Sequence, residues 1–403
     1  MTQLSKEVVR WRNQPIEQLQ RYERRALELE DRLEAFQNHI AAARFTEPLV
    51  LRCCAPVTSV YRGPAEWPPD DFDQSVILRA MRGETESFQL AFLAPDSAME
   101  SVEISVDGLT SAAGQSISLQ QIKMYRVEYV KYETQFRAHG NLWPDVLVPS
   151  REFQLSAGHV QPVWIDIEVP REQAPGTYEG RVRVTGPGGI HLEKPVRVIV
   201  YAPVLPRPTR MKAVMTTVPN YQMHNQEDRE RIALERISLL ARHHVRPHLK
   251  FQEVDFMIKA YAMVRNDFGF KWFGMEGLND HDKQQLYDTA IKEGWIDGLY
   301  CNVWDEAPGD QAVSESRKFK EKYPLAKTLL TLSEARTAIR PYQDVVDVWC
   351  PDAANWRRDP EFHQSRKHRW HYFCMTGAIN GPTTWRGAAG SQAWKMNAEG
   401  FFY

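Results

Sequence analysis

An apolar run, Leu299-Tyr300-Cys301-Asn302-Val303-Trp304, ends on two adjacent acids, Asp305 and Glu306, followed by Ala307-Pro308-Gly309. Like charges on neighbouring residues repel, and relieving the repulsion favours keeping one carboxyl protonated, the state a general acid needs. Acids here equally suit the start of a following helix, whose first amides carry partial positive charge. Spacing narrows the chemistry. Carboxylates acting as nucleophile and acid flank a sugar from opposite faces, about 5–5.5 Å apart for retention and about 6.5–9.5 Å apart for inversion. Neighbouring residues have Cα atoms about 3.8 Å apart and approach a substrate from one side. They fit better a reaction whose nucleophile belongs to the substrate. A 2-acetamido oxygen attacks the anomeric carbon, one acid protonates the leaving oxygen, and the other orients the acetamido N–H.

Such a pair needs a rigid strand end, and residues 206–403 alternate strand and helix. Apolar runs at Ala213–Val218, Arg246–Lys250, Phe270–Met275, Leu299–Trp304, Thr328–Thr331, Val345–Cys350, Trp370–Met375 and Phe401–Tyr403 read as strands. Asp228–His243, Asp282–Glu293, Asp310–Lys322, Ser333–Ile339, Pro360–Arg369 and Gly387–Ala398 read as helices between them. The segment between the second and third strands has no clear reading. Eight such units predict a (β/α)8 TIM-type barrel, with chemistry at the C-terminal ends of its strands. The alternative is a doubly wound open sheet, which no GxGxxG or P-loop supports.

Residues 46–205 read as an antiparallel β-sandwich. Short alternating runs (Leu49–Cys54, Val76–Met81, Ser87–Leu93, Val102–Val106, Ile122–Val130, Val163–Val169, Gly180–Thr185, Val196–Val200) are separated by turn chemistry such as Gly186-Pro187-Gly188-Gly189. Prolines 203, 206 and 208 stiffen the join to the barrel. Residues 1–45 read as a helical segment. Leu19, Tyr22, Ala26, Leu29, Leu33, Phe36 and Ile40 repeat at 3-4 spacing, the seam of a coiled coil over about three heptads. This predicts a homo-oligomer through residues 16–43; the competing reading is an amphipathic helix lying on the neighbouring domain.

Bulk properties exclude several classes. A net charge of −2 lacks the basic excess of a nucleic-acid binder. No segment approaches the roughly 18 continuous apolar residues of a membrane span. No apolar leader follows Met1, which predicts a cytoplasmic protein, or a virion-associated or released one if its target is extracellular. Five cysteines without CxxC spacing suggest neither a disulfide framework nor a zinc site; Cys301, Cys350 and Cys374 read as buried thiols. His243, His244 and His248 lack HExxH spacing and are expected at the other end of the barrel. No GxSxG elbow is present. No metal or organic cofactor is implied.

VWDEAPGD, VVDVWCPD, WHYFCM and QAWKMNAEGFFY, with GETESFQLAFLAP, NLWPDVLVP and APGTYEGRVRV in the sandwich, resemble glycoside hydrolase family 123 over about residues 47–403. The resemblance implies a retaining, substrate-assisted exo-β-N-acetylhexosaminidase, β-N-acetylgalactosaminidase-like, acting on a 2-acetamido sugar through an oxazoline. Asp305 would orient the acetamido group and Glu306 would be the general acid/base. Tyr372 would hydrogen-bond the acetamido carbonyl, Trp349 and Trp304 would wall the sugar, and Asp347 would orient a hydroxyl; packing within the barrel is the competing explanation for these four. Ala307 stands before Pro308 where the family reads Asp-Glu-Pro. Relatives continue past residue 403, which predicts a barrel incomplete at its eighth strand and helix. The competing functional reading is a non-catalytic carbohydrate-binding or structural subunit on the same fold.

Overall fold

A computed structural model of the chain describes residues 16–131, 142–217, 225–250, 253–306, 309–332, 342–352, 367–372 and 390–402. The chain forms two compact units, Met1–Val204 and Leu205–Tyr403. No helix among the described residues is long and apolar enough to cross a membrane.

Among the described residues the first unit begins with helix α1 (Ile16–Ala42) and continues as two facing sheets. One orders the strands Val50–Cys54, Thr85–Leu93, Val160–Glu168, Ile122–Lys131 and Leu142–Pro149, every neighbour antiparallel. The other orders Val76–Arg82, Ile190–Val204, Gly176–Gly186, Met99–Val106 and Glu152–Leu155, with one parallel pair, Val76–Arg82 beside Ile190–Val204. Strand alternation builds the core: Val102, Ile104 and Val106 are buried while Glu103 and Ser105 between them are exposed, the period of two expected of a half-buried strand. Phe88, Leu90 and Phe92 meet Tyr178, Val182, Val184 and Val198 in one cluster. Gly188 and Gly189 take positive φ (70° and 79°) and let Gly176–Gly186 fold directly back on Ile190–Val204. Leu142–Pro149, not anticipated from sequence, carries Pro144 and Pro149 and lies at a sheet edge, the position where a strand tolerates missing donors.

The second unit is a ring of eight parallel strands: β1 (Lys212–Thr217), β2 (Arg246–Leu249), β3 (Phe273–Gly274), β4 (Leu299–Trp304), β5 (Lys327–Leu332), β6 (Val348–Pro351), β7 (His368–Tyr372) and β8 (Gly400–Phe402). The ladder runs β2-β1-β8-β7-β6-β5-β4-β3. The gap expected at the eighth strand is filled, because β8 pairs with both β1 and β7. Among the described residues the ladder is open instead between β2 and β3. Connections are α2 (Gln226–Arg242), α3 (Val254–Phe268), α4 (Asp280–Lys292) and α5 (Asp310–Lys322). Helix α3 occupies the stretch that sequence left unread. It buries Val254, Met257, Tyr261, Val264 and Phe268 along one stripe and ends at Gly269 with φ 71°, a left-handed cap that glycine adopts without strain. Asn225 and Asn279 cap α2 and α4 by accepting from Asp228 N and Asp282 N.

Alternate residues of the barrel strands point inward. Val214, Tyr300, Leu329, Val348, Cys350, Trp370 and Tyr372 form the interior cluster. Leu330, Leu332 and Trp349 face outward and cluster with Ala312 of α5. Trp370 lies so close to Gly400 that any Cβ there would collide with its indole, so β8 must carry glycine at this level. Cys301 and Cys350 are buried and outside any disulfide, and burial pushes the Cys301 thiol well up. Cys374, Ala307, Pro308 and the expected helix Ser333–Ile339 lie outside the described residues, as do residues 360–366 and 387–389 of the other two expected helices.

Candidate active site

Asp305 and Glu306 directly follow β4, at the C-terminal end of the ring, and both are exposed. Two features fix them. Thr331, an inward residue of β5 that is only 3% exposed, donates its hydroxyl to Asp305 Oδ1 at 2.8 Å. Thr331 Oγ1 in turn accepts the backbone N–H of Glu306 at 3.1 Å. Glu306 itself has φ +57°. A side chain in this left-handed region costs roughly 1–2 kcal/mol, and a non-glycine residue holds it only where its surroundings dictate it. The turn after β4 is thus strained at the second acid, with Thr331 Oγ1 as one of its anchors.

A second polar layer lies beneath. Asn302, on β4, donates its backbone N–H to Glu276 Oε1. With its amide turned, the Asn302 nitrogen donates to Trp304 O (2.9 Å) and Leu329 O (3.2 Å), which leaves Thr331 as the side-chain donor to Asp305. Glu276 is 6% exposed, and its Oε2 sits 3.5 Å from His248 Nε2, too long for a good hydrogen bond. His248 Nδ1 is 3.2 Å from Tyr300 Oη. Burial pulls the His248 imidazole below its usual range despite the nearby Glu276 carboxylate, and burial, with Glu276 adding to it, pushes the Tyr300 phenol well up. A neutral His248 that receives the Tyr300 O–H on Nδ1 and turns Nε2–H towards Glu276 satisfies both trends. His248 from β2 and Glu276 just beyond β3 thereby bridge the opening in the ladder.

The other expected site residues separate. Tyr372 ends β7 on the interior face, 6% exposed, at the same end of the ring as the acids. Trp349 is fully buried on the helix side, and Trp304 packs against the same outer cluster; outward-facing strand positions carry their indoles away from the ring's interior. Asp347 precedes β6, at the opposite end of the ring from Asp305. There it accepts from Lys320 Nζ at 2.8 Å and from Thr328 N at 3.0 Å, so its carboxylate ties α5 to β5. Sequence reasoning missed Thr331, Glu276 and His248. The signal for Glu276 was an acid one residue past an apolar strand, in FGMEG. His248, expected at the other end of the barrel, instead turns its ring into the interior against Tyr300 and Phe402. Nothing in the linear sequence marks Thr331, whose role depends on β5 lying beside β4.

Residues 65–186, within the sandwich, match the model of the glycoside hydrolase 123 N-terminal domain. A family 123 glycoside hydrolase from Clostridium perfringens, whose structure was described for glycolipid glycan hydrolysis, superposes with a TM-score of 0.67 at 14% identity, covering 88% of this chain and 78% of that one. The chain is family 123-like. Two other similar structures are a Bacteroides ovatus GH5 xyloglucanase (TM-score 0.28, 10% identity, 82% of this chain and 91% of that one) and a family 2 glycosyl hydrolase from Bacteroides cellulosilyticus (TM-score 0.32, 9% identity, 80% and 44%). No curated protein sequence matches. In this family 123-like chain the family-model match falls on the sandwich, while Asp305 and Glu306 stand on the barrel.

Proposed function

We propose that the chain is a retaining glycoside hydrolase of substrate-assisted type, an exo-β-N-acetylhexosaminidase with β-N-acetylgalactosaminidase-like specificity. The observation that carries this reading is the exposed Asp305–Glu306 pair at the C-terminal end of β4, with Asp305 held by Thr331 and Glu306 in a left-handed turn. Barrel enzymes assemble their chemistry at this end, and adjacent acids suit a substrate that brings its own nucleophile. In the first step the acetamido oxygen bonds to the anomeric carbon as the glycosidic C–O bond breaks. Glu306 gives its proton to the leaving oxygen, and Asp305 accepts the acetamido N–H and polarises it. In the second step water attacks the anomeric carbon of the oxazoline and passes a proton to Glu306, which restores the acetamide with retained configuration. Tyr372 donates to the acetamido carbonyl. Self-association through residues 16–43 is a separate reading, argued below.

Chromogenic β-GalNAc and β-GlcNAc glycosides test the reading. Wild type should cleave at least one, and Asp305→Asn and Glu306→Gln should each lose on the order of 10²–10⁴-fold in kcat. Tight binding of a thiazoline analogue should accompany activity. Wild type and both variants equally inert on every acetamido sugar would sink the enzymatic reading. Binding of such sugars without turnover would leave a carbohydrate-binding subunit in its place.

A further inference from the structure

We infer that α1 pairs with α1 of a second copy of this chain, parallel and in register, as a two-stranded coiled coil. The seam read from sequence is uncovered within one copy: Tyr22 is 46% exposed, Leu29, Leu33 and Ile40 57%, and Phe36 61%. Isolated exposed apolar residues are ordinary, but five along one stripe of one helix form a contiguous patch that water tolerates poorly. The chain's own sandwich does not cover it, because the helix docks by the opposite face. Asn38 lies against Gly63, Ala42 is 2% exposed, and just past the helix Arg44 Nη2 donates to Pro64 O at 3.4 Å. Phe45 meets Trp67 edge-on at 5.6 Å. Asn38 and Ala42 fall on the f and c positions when Leu33 and Ile40 are a and Phe36 is d, so the anchoring leaves a and d facing out.

Charge selects the occupant. The g positions beside the seam are Gln18, Arg25, Arg32 and His39, and the e positions include Glu30 and Gln37. In a parallel pair each g residue faces the e residue five places on in its partner. Arg25 then meets Glu30 of the second copy, twice by symmetry, and Arg32 meets Gln37. An antiparallel pair instead sets g against g and e against e, which brings arginines together. The seam is therefore complementary to itself in one orientation, and a twofold arrangement of identical chains is the commonest closed assembly. The inference is independent of catalysis by the barrel.

Sedimentation of the full chain across the micromolar range is expected to give twice the 46.6 kDa chain mass. Leu29→Glu with Leu33→Glu should return it to a single copy. Both side chains are exposed in one copy, so circular dichroism should still report the β units folded. Arg25→Glu and Glu30→Arg should each weaken the dimer several-fold, and the double exchange should restore it. Ile40→Cys should oxidise to a disulfide-linked dimer that wild type does not form. A single-copy mass for wild type overturns the inference. So does a mass of three chains, or linkage of Ile40→Cys only to Tyr22→Cys and not to itself, which marks antiparallel helices.

Discussion

The Thr331 hydroxyl donates to Asp305 Oδ1 at 2.8 Å and accepts from the Glu306 backbone at 3.1 Å, so one oxygen on β5 positions both acids that follow β4. Thr331→Val keeps the shape and removes both bonds. A hydrogen bond to a charged group contributes about 1.5–3 kcal/mol when buried, and Asp305 is exposed, so about a tenfold loss of kcat/KM is the expected scale. Thr331→Ser should recover most of it. A Thr331→Val enzyme with unchanged kcat and KM, at unchanged stability, would show that Asp305 needs no such support.

Glu306 holds φ +57°, where glycine sits without strain and other residues pay roughly 1–2 kcal/mol. Glu306→Gly should therefore raise the stability of the barrel by about 1 kcal/mol while abolishing hydrolysis. Glu306→Ala removes the same carboxyl, keeps the strained backbone and should not gain stability. Paired thermal melts of the two variants read the difference. Equal melting temperatures would mean that the turn relaxes without its side chain.

Much of this architecture is legible before any coordinates. The strand Leu299–Trp304 and the helix Asp310–Lys322 stand where period and end signals place them, because an unbroken apolar run and a charged amphipathic run differ plainly. Helix α3 escaped because its buried stripe is joined by Phe256 and Ala260, and a wide apolar face blurs the 3.6-residue period. The edge strand Leu142–Pro149 escaped because its prolines argue against a strand in general and not against an edge. In the candidate site, an acid pair ending a strand is visible in one dimension. Whether a strand position faces inward is not, which is why Trp349 looked available and lies buried on the helix side, and why Thr331 was silent.

Asp347 stands at the far end of the ring from the acids, clamped by Lys320 and Thr328. Asp347→Asn should lower thermal stability and leave KM unchanged, the reverse of what a sugar-orienting residue would do. Burial raises the Asp347 pKa, but the Lys320 bond, the Thr328 N–H and the lysine charge outweigh it and hold the carboxyl below its usual value. A depressed carboxyl contributes stability that is complete above its unfolded value and lost as pH falls through the lower folded value. Wild type should thus lose this contribution below about pH 4, and Asp347→Asn should not. A stability gap between the two that stays constant from pH 6 to pH 2 would contradict the clamp.

The opening between β2 and β3 carries its own prediction. Gly274 has no Cβ because the space is taken: one built there falls on Glu276 Oε2 and on the His248 ring. Gly274→Ala should destabilise the barrel by about 1–3 kcal/mol through overpacking, and His248→Ala in the same chain should relieve much of it, since the imidazole occupies the contested volume. The pH dependence separates packing from charge. Burial lowers the His248 pKa, with Lys250 acting in the same direction and Glu276 against both. A lowered histidine contributes stability that is whole above its unfolded value near 6.5 and is lost as pH falls through the lower folded value. Protonation would put a charge on a ring whose Nδ1 is 3.2 Å from the Tyr300 hydroxyl and take away the acceptor that hydroxyl uses. Wild type should accordingly melt earlier as pH drops below about 6, while His248→Gln, which cannot take the proton, should show a flatter profile. Identical slopes for the two proteins would mean that the imidazole beneath the acids is already charged at neutral pH, paired with Glu276 as an ion pair across the open seam.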